Sequence, residues 1–442
     1  MTQSTTSTAP LRVALAGLGT VGAGAIRLLD ANRDLIAGRA GRPIEVVAVS
    51  ARDRSRDRGV DVGRFAWEDD MTALAMREDV DVVAELVGGS DGPALALARA
   101  TLNAGKGFVT ANKAMIAHHG LELARMAEAA GVALKFEAAV AGGVPVVKGL
   151  REGIAANAIE RIYGILNGTC NYILSTMEDT GADFGDVLKE AQALGFAEAD
   201  PTFDIEGVDA AHKLAILAGI GFGVQPNFGA VITQGIARVR AADIEQARSL
   251  GFVIRLIGMA QAQVGADGIE RLFQRVQPQL VHRDHPLASV DGPTNAVVAE
   301  GNFSGRLLFQ GAGAGDGPTA SAVVADLIDI ARGDVGPPFS LPCAQLQVMD
   351  AADPGERTSR AYLRFTVTDK PGVLAEIAAA MRDAGVSIES LIQKGRSDDG
   401  GEVLIAIVTH EGPERCVTLA LDALRGSDSL TEEPLVMHVL KD

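Results

Sequence analysis

A lysine embedded in apolar sequence is the leading candidate for chemistry in this chain. Lys213 begins the run KLAILAGIGFG, and the stretch before it, from Gly195 onward, holds Glu198, Asp200, Asp204, Glu206 and Asp209. In a helix that begins near Val208, Asp209 and Lys213 share one face with apolar residues three and four positions further on. Because a buried ammonium group needs a charged partner, we predict that Lys213 donates a proton or binds substrate. The alternative is an ordinary i,i+4 pair on a solvated surface.

The carboxylates of this stretch suit a substrate that carries an amino group. Asp204 and Gly195 are therefore further substrate-binding candidates, together with Thr169 in the polar turn NGTCNY at 167–172. Thr169 has a second interpretation as the cap of the helix that follows this turn.

A glycine loop near the N-terminus predicts dinucleotide binding. The strand LRVALA from Leu11 runs into a G-x-G-x-x-G sequence and then a helix, which is the context that the motif requires. Its glycines allow a tight turn, close approach of a pyrophosphate and close helix–strand packing, and the helix N-terminus offers free N–H groups. The predicted cofactor-binding residues of the loop are Gly17, Leu18, Gly19, Thr20, Val21 and Gly22.

The end of the second predicted strand bears on which cofactor is used. IEVVAV is followed by Ser50-Ala51-Arg52-Asp53-Arg54. An acidic residue here favours NAD, whereas an arginine accommodates the 2′-phosphate of NADP. Arg52 and Arg54 favour NADP, and Asp53 leaves NAD open.

Polar residues also follow the later strands of this sheet. DVVAELV is followed by Gly88-Gly89-Ser90, and the strand GFVT leads to Lys113. Because ligands of open α/β sheets bind beyond the carboxyl ends of the strands, we predict that Gly88, Ser90 and Lys113 line the cofactor site. The strand predicted from Val132 turns glycine-rich after Glu137, where a carboxylate and carbonyl groups could hold a monovalent cation. From spacing alone, a strand-end turn with a paired glutamate is favoured.

Composition excludes several classes of protein. The formal net charge is −17, which disfavours nucleic acid and anionic membranes as partners. Three widely spaced cysteines fit neither a disulfide framework nor a zinc cluster. The N-terminus MTQSTTSTAPLR lacks the features of a signal peptide, and no uncharged apolar run reaches the ~18 residues of a membrane span. We therefore predict a cytoplasmic protein.

The order of the predicted elements indicates an α/β chain with three domains. Residues 1–136 form a Rossmann-type dinucleotide-binding domain, completed by a second glycine loop and helix at 311–338. Residues 137–310 form an α+β catalytic and dimerisation domain, and 339–358 form a linker. Residues 359–442 read as βαββαβ, a ferredoxin-like unit. Its unpaired sheet edge predicts a homo-dimer or homo-tetramer.

These segments together resemble homoserine dehydrogenase with a C-terminal ACT domain, over essentially the whole chain. The matching sequences are GLGTVG, TANK, EAAVAGGVP, NGTCNY, GFAEADPTFDIEGVDAAHK, GAGAGDGPTA and DKPGVLAEI. The stretch that ends at Lys213 is specific to this family, whereas a Rossmann loop or an ACT signature alone is not.

The resemblance implies reversible NAD(P)-linked interconversion of L-aspartate 4-semialdehyde and L-homoserine, on the route to threonine, methionine and isoleucine. It implies that Lys213 is the proton donor and that Lys113 is a second lysine near the reacting carbonyl. Glu198 and Asp209 match the residues that hold the amino end of the substrate. Gly315, in the second glycine loop, matches a residue that contacts the nicotinamide.

The resemblance also implies two further ligands. Glu137, with backbone groups of Val140, Gly142 and Val144, resembles a sodium site. The ACT unit is expected to bind an amino-acid effector, threonine. Two other functions stay open at this point: another ACT-bearing dehydrogenase, such as a 3-phosphoglycerate or prephenate dehydrogenase with a catalytic histidine, for which His212 is the candidate, and an amino-acid sensor that keeps the cofactor fold without turnover.

Overall fold

The N-terminal part of the chain forms a six-stranded, wholly parallel sheet with helices on both faces. The structure, a computed structural model, describes residues 9–265, 267–394 and 401–441, so the stretch used to argue against a signal peptide lies mostly outside it. The strands are β1 (Leu11–Ala16), β2 (Ile44–Ser50), β3 (Ala66–Trp67), β4 (Val82–Glu85), β5 (Gly107–Thr110) and β6 (Leu134–Lys135). The helices are α1 (Thr20–Ala31), α2 (Arg33–Ala40), α3 (Ala73–Met76), α4 (Pro93–Asn103) and α5 (Lys113–Ala130).

The strand order β3-β2-β1-β4-β5-β6 is that of a Rossmann domain. Strands β1, β4 and β5 are apolar along almost their whole length, because helices cover both faces of a parallel sheet. The predicted dinucleotide-binding fold is confirmed.

A second unit of helices and strands follows. Its helices are α6 (Val146–Lys148), α7 (Gly168–Thr180), α8 (Phe184–Ala193), α9 (Thr202–Ile205), α10 (Val208–Phe222) and α11 (Ala241–Ser249). Its strands are β7 (Ile159–Ile165), β8 (Ile232–Thr233), β9 (Phe252–Val264), β10 (Glu270–His282), β11 (Thr294–Gly301) and β12 (Gly305–Ala312). The long helix α10 packs its apolar face on the sheet and begins at the residue that the sequence indicated.

Helix α12 (Asp316–Ala331) packs against α1 and against strands of the Rossmann sheet. It packs against α1 so closely that a Cβ on Gly24 would lie 1.8 Å from Oδ1 of Asp316. An ion pair between Arg27 and Asp316 fixes the same contact.

One prediction about local structure is wrong. The strand expected across 132–147 ends at Lys135, and a 3₁₀ turn at Glu137–Ala139 follows it. There the backbone bends into left-handed conformations at Ala141 and Gly142, which no strand contains. Between β8 and β9 the chain forms the helix α11. Asp243 caps this helix by accepting a hydrogen bond from the backbone N–H of Arg240.

The C-terminal part is the predicted ferredoxin-like unit. It comprises β13 (Thr358–Ser359), β14 (Ala361–Thr368), α13 (Val373–Asp383), β15 (Ile388–Lys394), β16 (Glu402–Thr409), β17 (Gly412–Pro413), α14 (Glu414–Leu424) and β18 (Leu435–Val439). Its sheet has the order β18-β14-β16-β15, and its neighbouring strands are antiparallel.

This sheet is continuous with the sheet of the second unit. Strand β18 pairs in parallel with β10, through Gln279 with His438 and Leu280 with Val439. The segment 339–358 between the two units also runs along this sheet, since the backbone N–H of Leu272 donates a hydrogen bond to the backbone carbonyl of Asp350. Within the described ranges, none of the helices has the length and apolar character that a bilayer crossing demands.

Candidate active site

A cavity of about 940 Å³ opens between the Rossmann sheet and the second unit. Its walls come from the loop after β5, the bend after Glu137, the starts of α7 and α10, and the glycine loop before α12. The cavity therefore lies beyond the carboxyl ends of the parallel strands, where open α/β sheets bind ligands.

Lys213 and Asp209 form a buried ion pair on the wall of this cavity. The pair lies one turn apart on α10, with Nζ of Lys213 2.7 Å from Oδ2 of Asp209. Nζ also donates to the carbonyl oxygen of Leu166 at 2.7 Å, and the amide of Asn295 donates to that same carbonyl at 2.8 Å. The side chain of Lys213 is thus held in one orientation, with its ammonium group at the cavity surface.

A second lysine reaches the same carboxylate from the Rossmann domain. Nζ of Lys113, at the first residue of α5, lies 3.1 Å from Oδ1 of Asp209. Asn112 caps that helix by accepting a hydrogen bond from the N–H of Met115 at 3.1 Å. Asp209 therefore joins one lysine from each unit at the boundary between them.

The electrostatics of the cluster favour an ionised Asp209 and a more easily deprotonated Lys213. Burial opposes ionisation of Asp209, but the charges of Lys213 and Lys113 outweigh it and hold the pKa of this carboxyl far below its usual range. Burial lowers the pKa of Lys213 more than the attraction of Asp209 raises it. Burial and the charge of Asp209 raise the pKa of Asp204.

Asn167 connects the two carboxylates and is a residue that sequence reasoning did not select. Its Nδ2 donates to Asp204 and to Asp209, at 2.8 Å in each case. Its side-chain oxygen Oδ1 accepts a hydrogen bond from the N–H of Cys170 at 2.7 Å and so caps α7. The turn NGTCNY was noticed as polar, but the positions of its partners, 37 and 42 residues further on, were not evident from the sequence.

The predicted substrate residues divide into two groups. Thr169, Gly195 and Asp204 line the cavity with Lys113, Asp209 and Lys213. Glu198 is exposed and lies outside the lining, and its backbone carbonyl accepts a hydrogen bond from Gln192 at 3.0 Å.

The first glycine loop has the geometry that its motif requires. Gly17 has a φ of +96°, and a Cβ there would lie 2.7 Å from the carbonyl oxygen of Leu86. A Cβ on Gly22 would lie 2.1 Å from the carbonyl oxygen of Gly17, whereas one on Gly19 would meet nothing within 4 Å. The space beside Gly19, at the start of α1, is therefore open to a ligand.

The loop after β2 presents Arg52 to solvent, two residues after the strand ends. Asp53 accepts hydrogen bonds from the Oγ and N–H of Ser55, at 2.7 and 2.8 Å, and these bonds lower its pKa. Arg54 lies over the ring of Trp67, 5.6 Å from its centre. Arg58, which the sequence did not single out, donates through Nε to the carbonyl of Leu18 at 3.0 Å and ties this loop to the glycine loop.

The loop after β4 is fixed by a buried carboxylate. Glu85 accepts hydrogen bonds from the N–H groups of Val87 and Gly88, at 2.7 and 2.8 Å. Ser90 donates to the neighbouring Asp91 at 2.7 Å. Gly315 begins α12 with a φ of +118°, which favours glycine, and it lines the same cavity as Lys213.

The bend after Glu137 brings buried acidic groups together. The two carboxylate oxygens of Glu137 accept hydrogen bonds from the backbone N–H groups of Val147 and Lys148, at 3.0 and 2.8 Å. Burial, followed by the nearby charge of Asp326, raises the pKa of Glu137 to about 7. Oδ1 of Asp326 is buried and accepts no hydrogen bond from the described residues. Nζ of Lys148 lies 3.4 Å from this oxygen and is the cation nearest to it.

His212 faces away from the cavity, on another side of α10. Its Nε2 lies 3.1 Å from Nε2 of His118, and its ring stacks on Phe228 at a centroid distance of 4.3 Å. Burial and the charge of His118 lower its pKa to about 4. This placement argues against a histidine as the catalytic base of the cavity.

Comparison with known proteins agrees with this geometry. Family models match residues 17–137 (homoserine dehydrogenase, NAD binding domain), 145–328 (homoserine dehydrogenase) and 361–425 (ACT domain). A homoserine dehydrogenase of Neisseria gonorrhoeae is 45% identical, and the alignment covers 97% of this chain and 98% of that protein. The chain belongs to the homoserine dehydrogenase family. Membership of this family removes the other ACT-bearing dehydrogenases and disfavours the sensor without turnover. The protein is an NAD(P)-dependent oxidoreductase that acts on a CH–OH group.

Solved homoserine dehydrogenases share the fold. The enzyme from Thiobacillus denitrificans superimposes with a TM-score of 0.90 at 41% identity, covering 98% of this chain and 99% of that one. A hyperthermophilic archaeal homoserine dehydrogenase in complex with NADPH aligns with a TM-score of 0.61 at 25% identity, over 73% of this chain and 97% of that one.

Proposed function

We propose that this oxidoreductase interconverts L-aspartate 4-semialdehyde and L-homoserine, with Lys213 as the proton donor and NADP as the preferred cofactor. The observation that carries the proposal is the buried Lys213–Asp209–Lys113 cluster on the wall of a cavity bordered by the Gly315 loop. This reaction places the protein in threonine, methionine and isoleucine biosynthesis.

The two lysines supply what the carbonyl group needs. Nicotinamide, when bound, supplies hydride to the aldehyde carbon or takes it from the alcohol carbon. Negative charge develops on the carbonyl oxygen, where the ammonium groups of Lys213 and Lys113 stabilise it. Lys213 then gives its proton to that oxygen, and in the reverse direction its neutral amine takes the proton from the hydroxyl group. The lowered pKa of Lys213 makes its neutral amine easier to form than that of a free lysine, which favours transfer of the proton in both directions.

Acidic residues are proposed to bind the amino end of the substrate. Asp209 and Asp204 line the cavity and present carboxylates to an ammonium group, while Thr169 and Gly195 border the same space. Glu198 belongs to the same segment as Gly195, and the proposal requires its exposed side chain to reach the substrate. Direct binding of the amino group by Glu198 thus depends on movement of the 195–200 segment.

Glycine-rich loops are proposed to hold the cofactor. Residues Gly17 to Gly22 would bind the pyrophosphate at the start of α1, and Gly88 and Ser90 border the same side of the sheet. We expect the exposed Arg52, two residues beyond β2, to contact the 2′-phosphate of NADP. The carboxylate of Asp53 already accepts hydrogen bonds from Ser55, which leaves it less free to bind the ribose of NAD.

Replacement of Arg52 by glutamine is expected to lower kcat/KM with NADP by roughly tenfold or more, the loss of about 1.4 kcal/mol expected for a charged hydrogen bond to phosphate. The value with NAD should change little, because NAD lacks the 2′-phosphate. Steady-state kinetics with both cofactors measure this. Arg56→Gln makes the same charge change in the same exposed loop and should leave the NADP/NAD ratio near that of the wild type. An equal loss with both cofactors in Arg52→Gln would contradict the assignment.

The bend from Glu137 to Val144 is proposed to bind sodium through the Glu137 carboxylate and backbone groups of Val140, Gly142 and Val144. Without a cation, the raised pKa of Glu137 means that the folded state holds a proton more tightly than the unfolded state does. The contribution of Glu137 to the free energy of unfolding should therefore be fully present below pH 4.5 and be lost as the pH rises through about 7. Sodium would offset that loss by neutralising the buried charge.

At pH 8 we expect sodium chloride to raise Tm above the value in tetramethylammonium chloride at equal ionic strength. Glu137→Gln should abolish most of this difference, because it removes the charge that the cation neutralises. Thermal unfolding of the full chain measures it. Glu152→Gln, an exposed change of equal charge on the neighbouring helical segment, is the control and should behave like the wild type. Equal Tm values in the two salts would argue against the cation site.

The ferredoxin-like unit matches the ACT family, which suggests amino-acid effector binding. We propose threonine as the effector, and we propose a homo-dimer or homo-tetramer in the cytoplasm. The turn before α13, with Gly372 at a φ of +101°, leads into a helix N-terminus that can face charged groups of an amino acid.

The proposed function is tested by mixing the purified protein with L-homoserine and following the absorbance of reduced cofactor. NADP and NAD are compared in parallel, and threonine is added afterwards. Cofactor reduction that threonine slows would support the substrate and the effector together. Threonine binding without reduction of either cofactor would instead favour the sensor.

A further inference from the structure

A second cavity, of about 600 Å³, lies at the junction between the catalytic unit, the 339–358 segment and the ACT unit. One wall is the hairpin of β9 and β10 near Gln261 and Arg271, and another is the turn from Ala352 to Thr358. Arg415, at the start of α14, and Lys441 complete it from the ACT side. It does not share lining residues with the catalytic cavity.

Basic side chains predominate in this cavity. Arg271, Arg357, Arg415 and Lys441 contribute positive charge, against the carboxylates of Asp353 and Glu356. Two of the cations have partners outside the lining: Arg271 binds Asp267 through both oxygens, at 2.9 and 2.7 Å, and Lys441 lies 2.8 Å from Glu411. The other two cations are Arg415, which is exposed, and Arg357, which lies over the ring of Phe273, 4.5 Å from its centre.

Arg357 is buried without the carboxylate fork that a buried guanidinium usually has. Its side chain is 10% exposed, and among the described residues its Nε has no hydrogen-bond partner. Nη1 donates to Oε1 of Gln261 at 3.1 Å, while Nη2 faces the sulfur of Met259 at 3.1 Å. Neither of these neutral groups balances a full positive charge.

The acid beside Arg357 is already committed to another arginine. Arg275 binds both carboxylate oxygens of Glu414, at 2.7 and 3.1 Å, and Ser359 donates to the same group at 3.1 Å. Nε of Arg357 lies 3.6 Å from that carboxylate. Burial, and then the charge of Arg275, lower the pKa of Arg357 to about 10, the direction expected for a cation with too little negative charge around it.

We propose that this junction cavity binds a small oxyanion, the phosphate or carboxylate group of a small metabolite, on Arg357 and Arg415. Guanidinium groups match the planar oxygen pairs of phosphates and carboxylates. The ligand would connect the hairpin of the catalytic unit to the start of α14, where the N–H of Glu414 donates to the carbonyl of Arg357 at 2.8 Å. The site does not depend on the reaction proposed above, and it adds a second input at the ACT junction.

The test is thermal unfolding of the full chain in inorganic phosphate and, separately, in succinate, each compared with sodium chloride at equal ionic strength. We expect a saturable rise in Tm of roughly 2 °C or more with at least one of the two anions. A response to phosphate alone assigns a phosphate group, and a response to succinate alone assigns a carboxylate pair. Identical curves in all three salts would overturn the site.

Variants locate the response. Arg415→Gln is expected to remove most of the rise in Tm, because it removes one of the two proposed anion-binding guanidinium groups. Arg415 is exposed, so its replacement should leave the core intact. Arg425→Gln, at the other end of α14, is the matched control and should keep the rise. Phosphate could also bind at the cofactor loop, so the Gly19→Val variant, which fills the open space there, should retain the response. A response that disappears in Gly19→Val and persists in Arg415→Gln would refute the proposal.

Discussion

Replacement of Lys213 by alanine is expected to lower kcat for L-homoserine oxidation by roughly 100-fold or more, the loss typical of a removed general acid–base group. The neutral amine must accept the hydroxyl proton, and among the residues that the structure describes Lys213 alone bonds to both Asp209 and the Leu166 carbonyl. The fold should survive, because Asp209 keeps Lys113 at 3.1 Å and Asn167 at 2.8 Å. Stopped-flow or steady-state absorbance of the reduced cofactor measures the rate.

Two controls separate catalysis from folding. Lys189→Ala removes an exposed lysine whose ammonium group lies 3.1 Å from Asp186 in the same helix, α8, and it should leave kcat near the wild-type value. The affinity of Lys213→Ala for NADP should also be unchanged, since the cofactor loops are intact. Wild-type-like turnover in a folded Lys213→Ala protein would remove this lysine from the mechanism.

The pH profile gives an independent readout of the same group. Oxidation needs neutral Lys213, so its rate should rise with pH through a pKa below that of a free lysine, and the reverse reaction should fall over the same range. Lys213→Ala should lose this limb while retaining any limb that other groups produce. A structural role for Lys213 would lower the rate at every pH without moving the profile.

The sequence was sufficient wherever a local pattern decides the structure. Strand β1 and helix α10 begin where apolar periodicity and the glycine loop predicted, because short-range sterics and burial determine them. The pairing of Asp209 with Lys213 follows from helical spacing alone. The ferredoxin-like unit was also readable, since the order of its strands and helices follows from local patterns along the chain.

The contacts between distant segments were not readable. The approach of Lys113 to Asp209 joins two domains, and Asn167 reaches Asp204 and Asp209 across a long separation in the chain. The parallel pairing of β10 with β18 makes one sheet of two units that each looked complete. Such contacts depend on how whole elements dock, which no window of the sequence contains. The strand predicted through Glu137 failed for a related reason, because a buried carboxylate bonded to the N–H groups of Val147 and Lys148 determines the bend there.

Replacement of Gly19 by valine is expected to weaken NADP binding by roughly 30- to 100-fold, because a side chain would occupy space where the cofactor must approach the backbone. Forcing two to three methyl-sized groups against a ligand costs about 2–3 kcal/mol, which corresponds to that change in Kd. Gly19 has a φ of −73°, which any residue adopts, and a Cβ there meets nothing within 4 Å. The folded protein should therefore keep its Tm. Fluorescence titration with NADPH measures the binding.

The neighbouring glycines make this prediction specific to the cofactor rather than to the fold. Gly22→Val should destabilise the protein, because its Cβ would lie 2.1 Å from the carbonyl oxygen of Gly17 in the apo chain itself. Gly38→Val, on the exposed helix α2, also has open space around its Cβ but lies away from the loop, so it should change neither Tm nor NADPH affinity. A Gly19→Val protein that binds NADPH normally would mean that the pyrophosphate does not pass over this loop. The assignment of Arg52 to the 2′-phosphate would then also lose its support, because it assumes that position of the cofactor.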